Sequence, residues 1–412
     1  MDIQFIDKGS VSSPQGFLAA GVTAGFKRSG APDMALLSSE VPCRVAGAFT
    51  ANLFAAAPVI YDRQIVAGEG MVRAVVINSG IANACTGERG LEDARKSAGL
   101  VAEALGVKNE EVLVASTGRI GDFLPMDIME KGVRLGVEAL SRTGGESAAR
   151  AIMTTDTRPK SFAVRIEIDG KTVTLGGMTK GAGMICPRLR PVHPKQATML
   201  AFVTTDASIS LEALRASLSS SIDSSFNRIT VDGDTSTNDT FVVLANGQAG
   251  NAEIQVGTPE QLLFAEALSA LAGRLAKEMV KDGEGVSRFV EVNVTGARSD
   301  ADARICAEAI ANSELCKTAW FDADPNWGRI LCAAGYSGIS FDPAKVNLDL
   351  QHVATVRNGR DAKVATEEEL GKLCDAPEVI IDLDLGAGTG RFTEWTCDLT
   401  YEYVKINADY HT

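Results

Sequence analysis

The chain has 412 residues, of which 45% are hydrophobic and 23% are charged, and its formal net charge at pH 7 is −13. This length predicts two cores or one large layered core, and the acidic balance argues against nucleic acid as a partner. No apolar run is as long as a membrane helix, the amino terminus lacks a secretory pattern, and the eight scattered cysteines form no C-x-x-C pair. These features predict a cytoplasmic protein with free thiols and no membrane partner.

In chain order, the first elements that the sequence predicts are two strands and a helix. The apolar runs over 71–78 and 111–116 predict strands, and both end in polar turns that contain glycine. Between them, apolar residues at helical spacing over 91–105 predict a helix that ends at Gly106. The alternation of strand and helix patterns is typical of an α/β (α+β layered) fold, in which loops at strand ends carry the chemistry.

The middle of the chain combines a hairpin with a proline-rich segment. "FAVRIEIDGKTVTLGG" contains two strand-like runs joined by Asp169 and Gly170, a pair that favours a type I′ turn. The segment "CPRLRPVHPK" (186–195) follows, and its three prolines cannot join the hydrogen-bond ladder of a central strand. We therefore expect this segment to be an exposed, irregular loop.

The clearest predicted helix lies in the second half of the chain. Thr258 suits the N-cap, Pro259 suits the first turn, and Gln261 completes a capping-box pattern. Gly283 ends the helix, so Glu284 follows at the negative end of the helix dipole, where a carboxylate is slightly unfavourable. This position suggests that Glu284 has a role other than local stability. The predicted buried stripe consists of Phe264, Leu268, Leu271, Leu275 and Met279.

The chain contains three histidines, His193, His352 and His411. None belongs to an H-E-x-x-H motif, the cysteines show no ligand spacing, and no G-x-S-x-G motif is present. "VDGDTSTND" places Asp232 and Asp234 at the spacing of a calcium loop, but the glycine and the closing glutamate of that loop are missing. The sequence thus predicts no metal site and a nucleophile that does not depend on histidine.

Thr198 stands between the proline-rich segment and the apolar run "MLAFV". Threonine suits strands, so the simplest interpretation is a strand residue. The alternative is a nucleophile. If the bond between Ala197 and Thr198 is cleaved, the new α-amine, with an ordinary pKa of about 7.7–8.0, serves as the general base. The turn at Thr117 and Gly118 is a candidate oxyanion hole, because glycine lets backbone N–H groups face a ligand.

Six stretches of the chain are long and specific. They are "NSGIANACTG", "ASTGRIG…LPMD", "KGAGMI…HPKQATMLAFVTTDA", "SFNRITVDGDTSTNDT", "DADPNWGRIL" and "YVKINADYHT". Together they resemble the ornithine acetyltransferase family, also called arginine-biosynthesis bifunctional glutamate N-acetyltransferase. The resemblance implies an ornithine acetyltransferase/DmpA-like αββα sandwich with a smaller C-terminal domain. It also implies self-cleavage into an α chain (1–197) and a β chain (198–412), which assemble as an α2β2 heterotetramer.

The same resemblance implies acyl transfer in two steps. N-acetylornithine gives its acetyl group to a threonine of the enzyme, and glutamate then accepts that group. The resemblance implies no cofactor. Some members of the family also take acetyl-CoA as the donor, so acetyl-CoA is a candidate co-substrate here.

Carried over position by position, the resemblance places the nucleophile on Thr198 and the cleaved bond between Ala197 and Thr198. The oxyanion pair falls on Thr117 and Gly118. The implied substrate contacts are Thr154, Lys180, Thr198, Glu284, Asn407 and Thr412. A lysine suits a substrate carboxylate and a glutamate suits a substrate amino group, which agrees with the unusual position of Glu284.

Two departures from the family pattern stand near the implied site. "CPRLRPV" lengthens the loop before the cleaved bond, and Lys195-Gln196 replaces the usual Asn-Met pair. Ile81 stands where the family has asparagine in "NSGNANACTG". Loop length itself costs little free energy, whereas self-cleavage depends on the geometry of the reacting atoms.

Other functions remain open at this level. An N-terminal-threonine amidase or aminopeptidase uses the same nucleophile, with water in place of the amine acceptor. A paralogous acyltransferase of secondary metabolism has another acceptor, and an uncleaved binding protein has lost the chemistry. Release of acetate in the absence of glutamate distinguishes the hydrolase from the transferase.

Overall fold

The computed structural model describes residues 3–191 and 199–409. Its described residues form two compact units. The first comprises residues up to 227 together with 234–279, and the second comprises 228–233 and the residues from 280 onward. The division into an α chain 1–197 and a β chain 198–412 concerns the product of cleavage and stays a prediction.

The strands and helices have the following bounds in chain order: β1 (Gln4–Ile6), β2 (Phe17–Val22), β3 (Met34–Phe49), α1 (Ala57–Ala67), β4 (Val72–Ile81), α2 (Gly87–Leu105), β5 (Val112–Arg119), α3 (Met126–Ala139), α4 (Gly145–Ala151), β6 (Lys160–Ile168), β7 (Lys171–Lys180), β8 (Arg190–Pro191), β9 (Leu200–Thr205), α5 (Leu211–Asp223), β10 (Thr240–Ala245), α6 (Pro259–Lys281), β11 (Phe289–Ala297), α7 (Asp300–Ala311), α8 (Glu314–Phe321), α9 (Trp327–Tyr336), β12 (Asn347–Leu350), β13 (Val353–Arg357), β14 (Arg360–Asp361), α10 (Glu367–Cys374), β15 (Glu378–Asp384), β16 (Gly390–Cys397) and α11 (Tyr401–Asp409).

The strands of the first unit follow the order β1-β6-β7-β9-β10-β3-β4-β5, with β2 and β8 also paired to β3. The long strand β3 joins two sheet sections, because its second half pairs with β10 and its first half pairs with β2 and β4. Its register with β4 shifts between Ser38 and Cys43. The pairs β9–β10 and β4–β5 are parallel.

The two sheet sections of the first unit pack face to face. Val75 and Leu113 of one section belong to the same buried cluster as Phe202 and Val242 of the other. Burial of apolar side chains on this scale is the main stabilising contribution to such a fold, at about 25 cal/mol per Å² of apolar surface. The sheet-to-sheet core therefore fixes where the ends of β4, β5, β7 and β10 lie.

Helices cover the outer faces of both sections. Ala98 and Val101 of α2 pack with Val114 of β5 on one side. On the other side α6 lies so close to β7 that a Cβ on Gly177 would come within 2.9 Å of Leu275. This order of layers confirms the predicted α/β fold and its αββα sandwich.

The second unit is built around a sheet in the order β14-β13-β12-β15-β11-β16. Strands β11 and β15 are parallel, and β11 and β16 are antiparallel. Val292 and Ile381 of the sheet share a buried cluster with Cys306 and Ile310 of α7 and with Trp320 of α8. The second unit thus has a core of its own.

Several local predictions are confirmed. The hairpin of β6 and β7 turns at Asp169 and Gly170 with φ angles of 52° and 69°, and α2 ends at Gly106 with φ 68°. The Oγ1 of Thr258 accepts the N–H of Gln261 at 3.3 Å, as an N-cap does. The predicted stripe of α6 is fully buried. No helix within the described ranges is long and apolar enough to cross a membrane.

The prediction of an exposed loop over 186–195 is wrong for its first part. Cys186 and Leu189 are buried. Their backbone polar groups have side-chain partners instead of water: Thr235 donates to the carbonyl of Cys186 at 3.1 Å, and the amide of Asn227 bonds both the N–H and the carbonyl of Leu189. Such partners allow an irregular segment to be buried. Residues 192–195 lie outside the described residues.

Candidate functional site

The predicted oxyanion pair lies where β4 and β5 end side by side. The parallel register places Ser79 opposite Thr117 and Gly80 opposite Gly118. Both glycines have φ in the left-handed region, 121° and 130°, and a Cβ on Gly118 would lie 2.2 Å from the carbonyl carbon of Gly80. Only glycine allows this close approach without strain. The structure therefore places Thr117 and Gly118 at the edge of the sheet, on a backbone that tertiary packing holds.

Lys180, the last residue of β7, lies beside this pair. Its side chain is largely buried, and its Nζ donates to the Oγ1 of Thr117 at 3.3 Å. The two residues are 63 positions apart in the sequence. The structure thus brings together two residues that the sequence predicted separately, and it places a positive charge at the predicted oxyanion hole.

Thr154 is held near Lys180 by a carboxylate that sequence reasoning missed. Asp156 accepts the N–H of Thr154 at 3.0 Å, the N–H of Gly181 at 2.7 Å and the Nζ of Lys160 at 2.7 Å. Burial alone would raise the pKa of Asp156, but the charges of Lys180 and Lys160 and the N–H of Gly181 outweigh it and hold the pKa at about 2. Asp156 is therefore ionised at neutral pH and fixes the loop that carries Thr154.

Lys27 provides a second positive charge in this part of the first unit. Its Nζ donates to the carbonyl of Pro32 at 2.7 Å, and its own loop is held by Asp33, which accepts the N–H of Lys27 at 2.9 Å. Burial lowers the pKa of Lys27, and the charge of Lys180 lowers it further, against the opposing charges of Asp33 and Asp156. Lys180 is therefore near enough to act on the charge of Lys27.

A second buried carboxyl group stands directly before β10. Asp239 has no exposed surface, and neither of its carboxyl oxygens has a hydrogen-bond partner among the described residues. Burial raises the pKa of Asp239 well above its ordinary value, and the charge of Lys180 opposes this rise only in part. A buried carboxyl group without partners is far more stable when it is protonated.

The second unit carries the other predicted contact pair. Glu284 follows α6 and is largely buried, and its Oε2 accepts the side-chain amide of Asn407 at 2.7 Å. Asn407 lies on α11, whose start packs against Gly285: the hydroxyl of Thr400 donates to the carbonyl of Gly285 at 2.7 Å. The structure therefore brings Glu284 and Asn407 together, as a carboxylate and an amide on two elements of the second unit.

Three of the predicted site residues, Ala197, Thr198 and Thr412, lie outside the described residues. The first described residue after Thr198 is Met199, whose carbonyl accepts the N–H of Thr240 at 2.5 Å. Strand β9 begins at the next residue, Leu200, in parallel register with Thr240. The described chain therefore fixes the position of the backbone that directly follows the predicted nucleophile.

Sequence reasoning missed Asp156, Lys27 and Asp239. The signal for Asp156 is its place two residues after Thr154 in "TTDT". Asp239 lies in "STND", within a stretch that was considered as a calcium loop and as part of the family resemblance, without a role for this residue. Within the described parts of the chain, no group of three or more His, Cys, Asp or Glu side chains is arranged to hold a metal ion.

Comparison with known proteins gives matches over nearly the whole length. A family model described as the ArgJ family matches residues 18–412. The chain is 51% identical over 406 residues to the arginine biosynthesis bifunctional protein ArgJ of Symbiobacterium thermophilum, with 98% of this chain and 99% of that protein covered. It is 47% identical over 409 residues to the protein of the same name from Caldanaerobacter subterraneus subsp. tengcongensis, with 98% and 99% covered.

A solved structure also matches part of the chain. It is that of ornithine acetyltransferase complexed with ornithine, from Mycobacterium tuberculosis, with 46% sequence identity and a TM-score of 0.44. The match covers 46% of this chain and 100% of that chain.

Proposed function

Because the chain belongs to the ArgJ family, we propose that it is an N-acetyltransferase of arginine biosynthesis that transfers an acetyl group from N-acetylornithine to glutamate. The single observation that carries the proposal is the site in the first unit, where Lys180 donates to Thr117 beside Gly118. A positive charge next to a candidate oxyanion hole suits acyl transfer between substrates that carry carboxylates.

Self-cleavage prepares the nucleophile in this proposal. The hydroxyl oxygen of Thr198 attacks the carbonyl carbon of Ala197, a C–O bond forms, and the C–N bond breaks. The hydroxyl proton passes to the nitrogen that leaves, which becomes the α-amine of Thr198. Water then hydrolyses the ester, which frees the hydroxyl and leaves a carboxylate on Ala197. The products are the α chain 1–197 and the β chain 198–412.

Acetyl transfer then repeats the same chemistry on a substrate. The α-amine of Thr198 takes the hydroxyl proton while the oxygen attacks the acetyl carbon of N-acetylornithine, and ornithine leaves with that proton on its nitrogen. The amine of glutamate attacks the acetyl ester, and its proton returns to the oxygen of Thr198. In both steps, the oxyanion pair Thr117 and Gly118 stabilises the negative charge on the carbonyl oxygen, and one such donor is worth about 100- to 1000-fold in rate. The N–H of Thr117 faces β4 in the parallel register, so the two donors are the hydroxyl of Thr117 and the N–H of Gly118.

The contacts assigned to the substrates follow from charge. Lys180 binds a substrate carboxylate, and Thr154 takes part from the loop that Asp156 holds. Glu284, oriented by Asn407, binds a substrate amino group. Thr412 is the last assigned contact. N-acetylornithine and glutamate both carry an α-carboxylate, so one lysine serves both half-reactions.

We extend the proposal to the cellular form of the enzyme. The cleaved chains assemble as an α2β2 heterotetramer in the cytoplasm, where the eight cysteines remain free thiols, as they are in the structure. No cofactor takes part, and acetyl-CoA is a second acetyl donor for glutamate.

Mass spectrometry after brief exposure to N-acetylornithine tests this proposal. We expect two chains that meet at Ala197 and Thr198, and a β chain that is heavier by one acetyl group, which glutamate removes. The Thr198→Ala variant should stay intact and inactive, whereas Thr318→Ala, a change on the surface of the second unit, should cleave and turn over normally. Normal turnover by Thr198→Ala contradicts the nucleophile assignment, and acetate release that glutamate does not affect indicates a hydrolase instead.

A further inference from the structure

Thr400, directly before α11, connects the two elements that carry Glu284 and Asn407. Its hydroxyl donates to the carbonyl of Gly285, the residue after Glu284, at 2.7 Å. The same oxygen accepts the N–H of Tyr403 in the first turn of α11 at 3.3 Å, as an N-cap does. Thr400 is buried, so water does not readily replace these two hydrogen bonds.

Gly285 provides the surface on which the first turn of α11 rests. Its φ of 69° lies in the left-handed region, and a Cβ at this position would come within 2.6 Å of the backbone nitrogen of Tyr403 and within 2.8 Å of the Oγ1 of Thr400. Only a residue without a side chain allows this approach. The backbone after Glu284 and the start of α11 are therefore in direct contact.

Asp398 adds a second connection between the same two segments. Its carboxyl group accepts the N–H of Ser287 at 3.0 Å and the N–H of Arg288 at 3.1 Å, and its own N–H donates to the carbonyl of Arg288 at 3.2 Å. The segment 398–400 thus holds the segment 285–288 by hydrogen bonds at both of its ends.

A further pair of hydrogen bonds leads from the first turn of α11 to Glu284. The side-chain NH2 group of Asn407 donates to the carbonyl of Tyr403 at 3.0 Å and to the Oε2 of Glu284 at 2.7 Å. A backbone carbonyl can only accept, so the NH2 end of this amide must face it. The direction of the Glu284 carboxyl group therefore depends on where the first turn of α11 lies.

The hydrogen bonds at the start of α11 matter because little else holds this helix. It has nine residues, Tyr401–Asp409, and none of them is buried. Isolated helices of fewer than about 12 residues are marginal in water. The N-cap and the contact with Gly285 therefore contribute a large share of what keeps α11 in place.

The chemistry of the proposed reaction indicates which substrate Glu284 recognises. In N-acetylornithine the α-nitrogen belongs to an amide, so the side-chain ammonium is its only cationic group. The amine of glutamate has to be neutral and to face the acetyl ester in order to attack it, so it does not pair with a carboxylate at that moment. A carboxylate that binds a substrate ammonium thus serves the donor and not the acceptor.

We propose that Thr400 is a positioning residue for recognition of the donor: it holds α11 on Gly285, so that Asn407 directs Glu284 toward the side-chain ammonium of N-acetylornithine. This inference rests on the proposed function. A binding group keeps its geometry when the residues behind it are fixed by packing and hydrogen bonds, and Thr400 supplies both for Asn407.

Thr400→Val tests the proposal, because it removes the hydroxyl and keeps the shape of the side chain. In transfer through an acetyl-enzyme, kcat/KM for the donor reports the first half-reaction and kcat/KM for glutamate reports the second. Loss of an N-cap shifts a helix equilibrium by about fivefold, so we expect kcat/KM for N-acetylornithine to fall by about fivefold and that for glutamate to change by less than about twofold. Thr400→Ser keeps the hydroxyl and should restore the first value.

N-acetylnorvaline distinguishes positioning from mere stability. It has the carbon chain of N-acetylornithine without the side-chain amine, so it offers no ammonium to Glu284. In Thr400→Val its kcat/KM should be unchanged, and the preference for N-acetylornithine over N-acetylnorvaline should fall by about fivefold. A purely structural role of Thr400 leaves this preference unaltered. Acetylation of the β chain without glutamate, followed by mass spectrometry, measures the preference even for a slow donor.

Thr366 offers a matched control in the same unit. It caps α10, and its hydroxyl oxygen accepts the N–H of Glu369 at 3.2 Å. Thr366→Val therefore removes an N-cap by the same substitution, and it should leave the preference for N-acetylornithine unchanged.

Gly285→Ala is the second site variant, because it places a methyl group where α11 rests. It should lower the preference for N-acetylornithine by more than Thr400→Val does. Gly170→Ala is its control: Gly170 also has a φ of 69°, but a Cβ there meets no atom within 4 Å. The control imposes the backbone strain alone and should not alter the preference.

The outcomes are distinct. A lower preference in Thr400→Val and Gly285→Ala, without this change in Thr366→Val and Gly170→Ala, supports the inference. An unchanged preference in folded Thr400→Val overturns it, and so do equal losses in the site and control variants.

If Thr400→Val does not fold, Gly285→Ala and its control decide the question by the same readout. Absence of transfer to glutamate by the unchanged enzyme contradicts the proposed function. Normal transfer together with an unaltered preference in Thr400→Val overturns the inference alone.

Discussion

Asp156 and Asp239 are two buried carboxyl groups of the first unit, and they differ in the direction of their pKa shifts and in their hydrogen-bond partners. The charge of Lys180 acts on both, yet the pKa of Asp156 lies at about 2, because Lys180, Lys160 and a backbone N–H outweigh burial, while burial raises the pKa of Asp239. Asp156 accepts three hydrogen bonds, and Asp239 accepts none from the described residues. Partners, more than depth of burial, therefore decide the charge of an interior carboxyl group.

Because their pKa values shift in opposite directions, Asp156 and Asp239 contribute differently to the charge around Lys180. The region around Asp156 is held by a full set of partners, and it fixes Thr154 and the backbone after Lys180. The region around Asp239 holds a carboxyl group whose ionisation is unfavourable, so the negative charge near Lys180 comes from Asp156. The positive charge of Lys180 is therefore only partly neutralised by neighbouring carboxylates, and it can still attract a substrate carboxylate.

The largest effect is expected from removal of a partner of Asp156. Lys160→Met leaves a buried carboxylate without its closest cation, and the two side chains are only 1% and 0% exposed. We expect a loss of about 3–5 kcal/mol in the free energy of unfolding, measured by guanidinium titration. Arg150→Met is the control, because the Arg150–Glu146 pair is exposed, and its loss should be less than about 1 kcal/mol. Equal losses in both variants contradict the comparison.

An intermediate effect is expected from substitution of Lys180, whose charge acts on both Asp156 and Asp239. Lys180→Met removes the cation that binds the substrate carboxylate in our proposal. We expect KM for N-acetylornithine and glutamate to rise about 10- to 100-fold, since a hydrogen bond to a charged group is worth about 1.5–3 kcal/mol. Lys171→Met changes an exposed lysine at the other end of the same strand and should leave KM unaltered. Unchanged KM values in Lys180→Met would show that another group binds the carboxylate.

The smallest effect is expected in the pH dependence of stability. The pKa of Asp239 is raised by burial, so its contribution to stability is complete below the unfolded pKa of about 3.9 and is lost as the pH rises through the folded pKa. In Asp239→Asn the loss of stability between pH 4 and pH 8 should be smaller than in the unchanged protein. Asp156 has the opposite sign: its stabilisation is present above about pH 4 and is lost as the pH falls through about 2.

Unfolding titrations at pH 4 and pH 8 measure both effects. The Asp239→Asn protein should gain stability relative to the unchanged protein as the pH rises, and Asp156→Asn should be less stable than the unchanged protein at both values. A parallel pH dependence in Asp239→Asn and the unchanged protein indicates that Asp239 is ionised in the folded state.

Local patterns predicted much of the fold and part of the site. The turn at Asp169 and Gly170 and the N-cap at Thr258 depend on neighbouring residues alone, and both are confirmed. The motifs around Thr117 and Lys180 were also visible, but their contact was not, because it depends on the pairing of distant strands. The burial of Leu189 was missed for the same reason: its polar backbone is satisfied by Asn227, which is 38 positions away.

The sequence by itself therefore determined the elements, the family resemblance and the residue types of the chemistry. Only the tertiary structure decided which of these groups meet and what charge they carry. Asp156 and Asp239 are the same residue type in similar polar stretches, but Lys160 stands four residues after Asp156, and Asp239 has no lysine at that position. Their different pKa directions arise because Lys160 and, through strand β7, Lys180 and the N–H of Gly181, which is 25 positions away, surround Asp156, while Asp239 has no such set of partners among the described residues. Electrostatic interactions in the interior depend on distance and burial, which the fold decides.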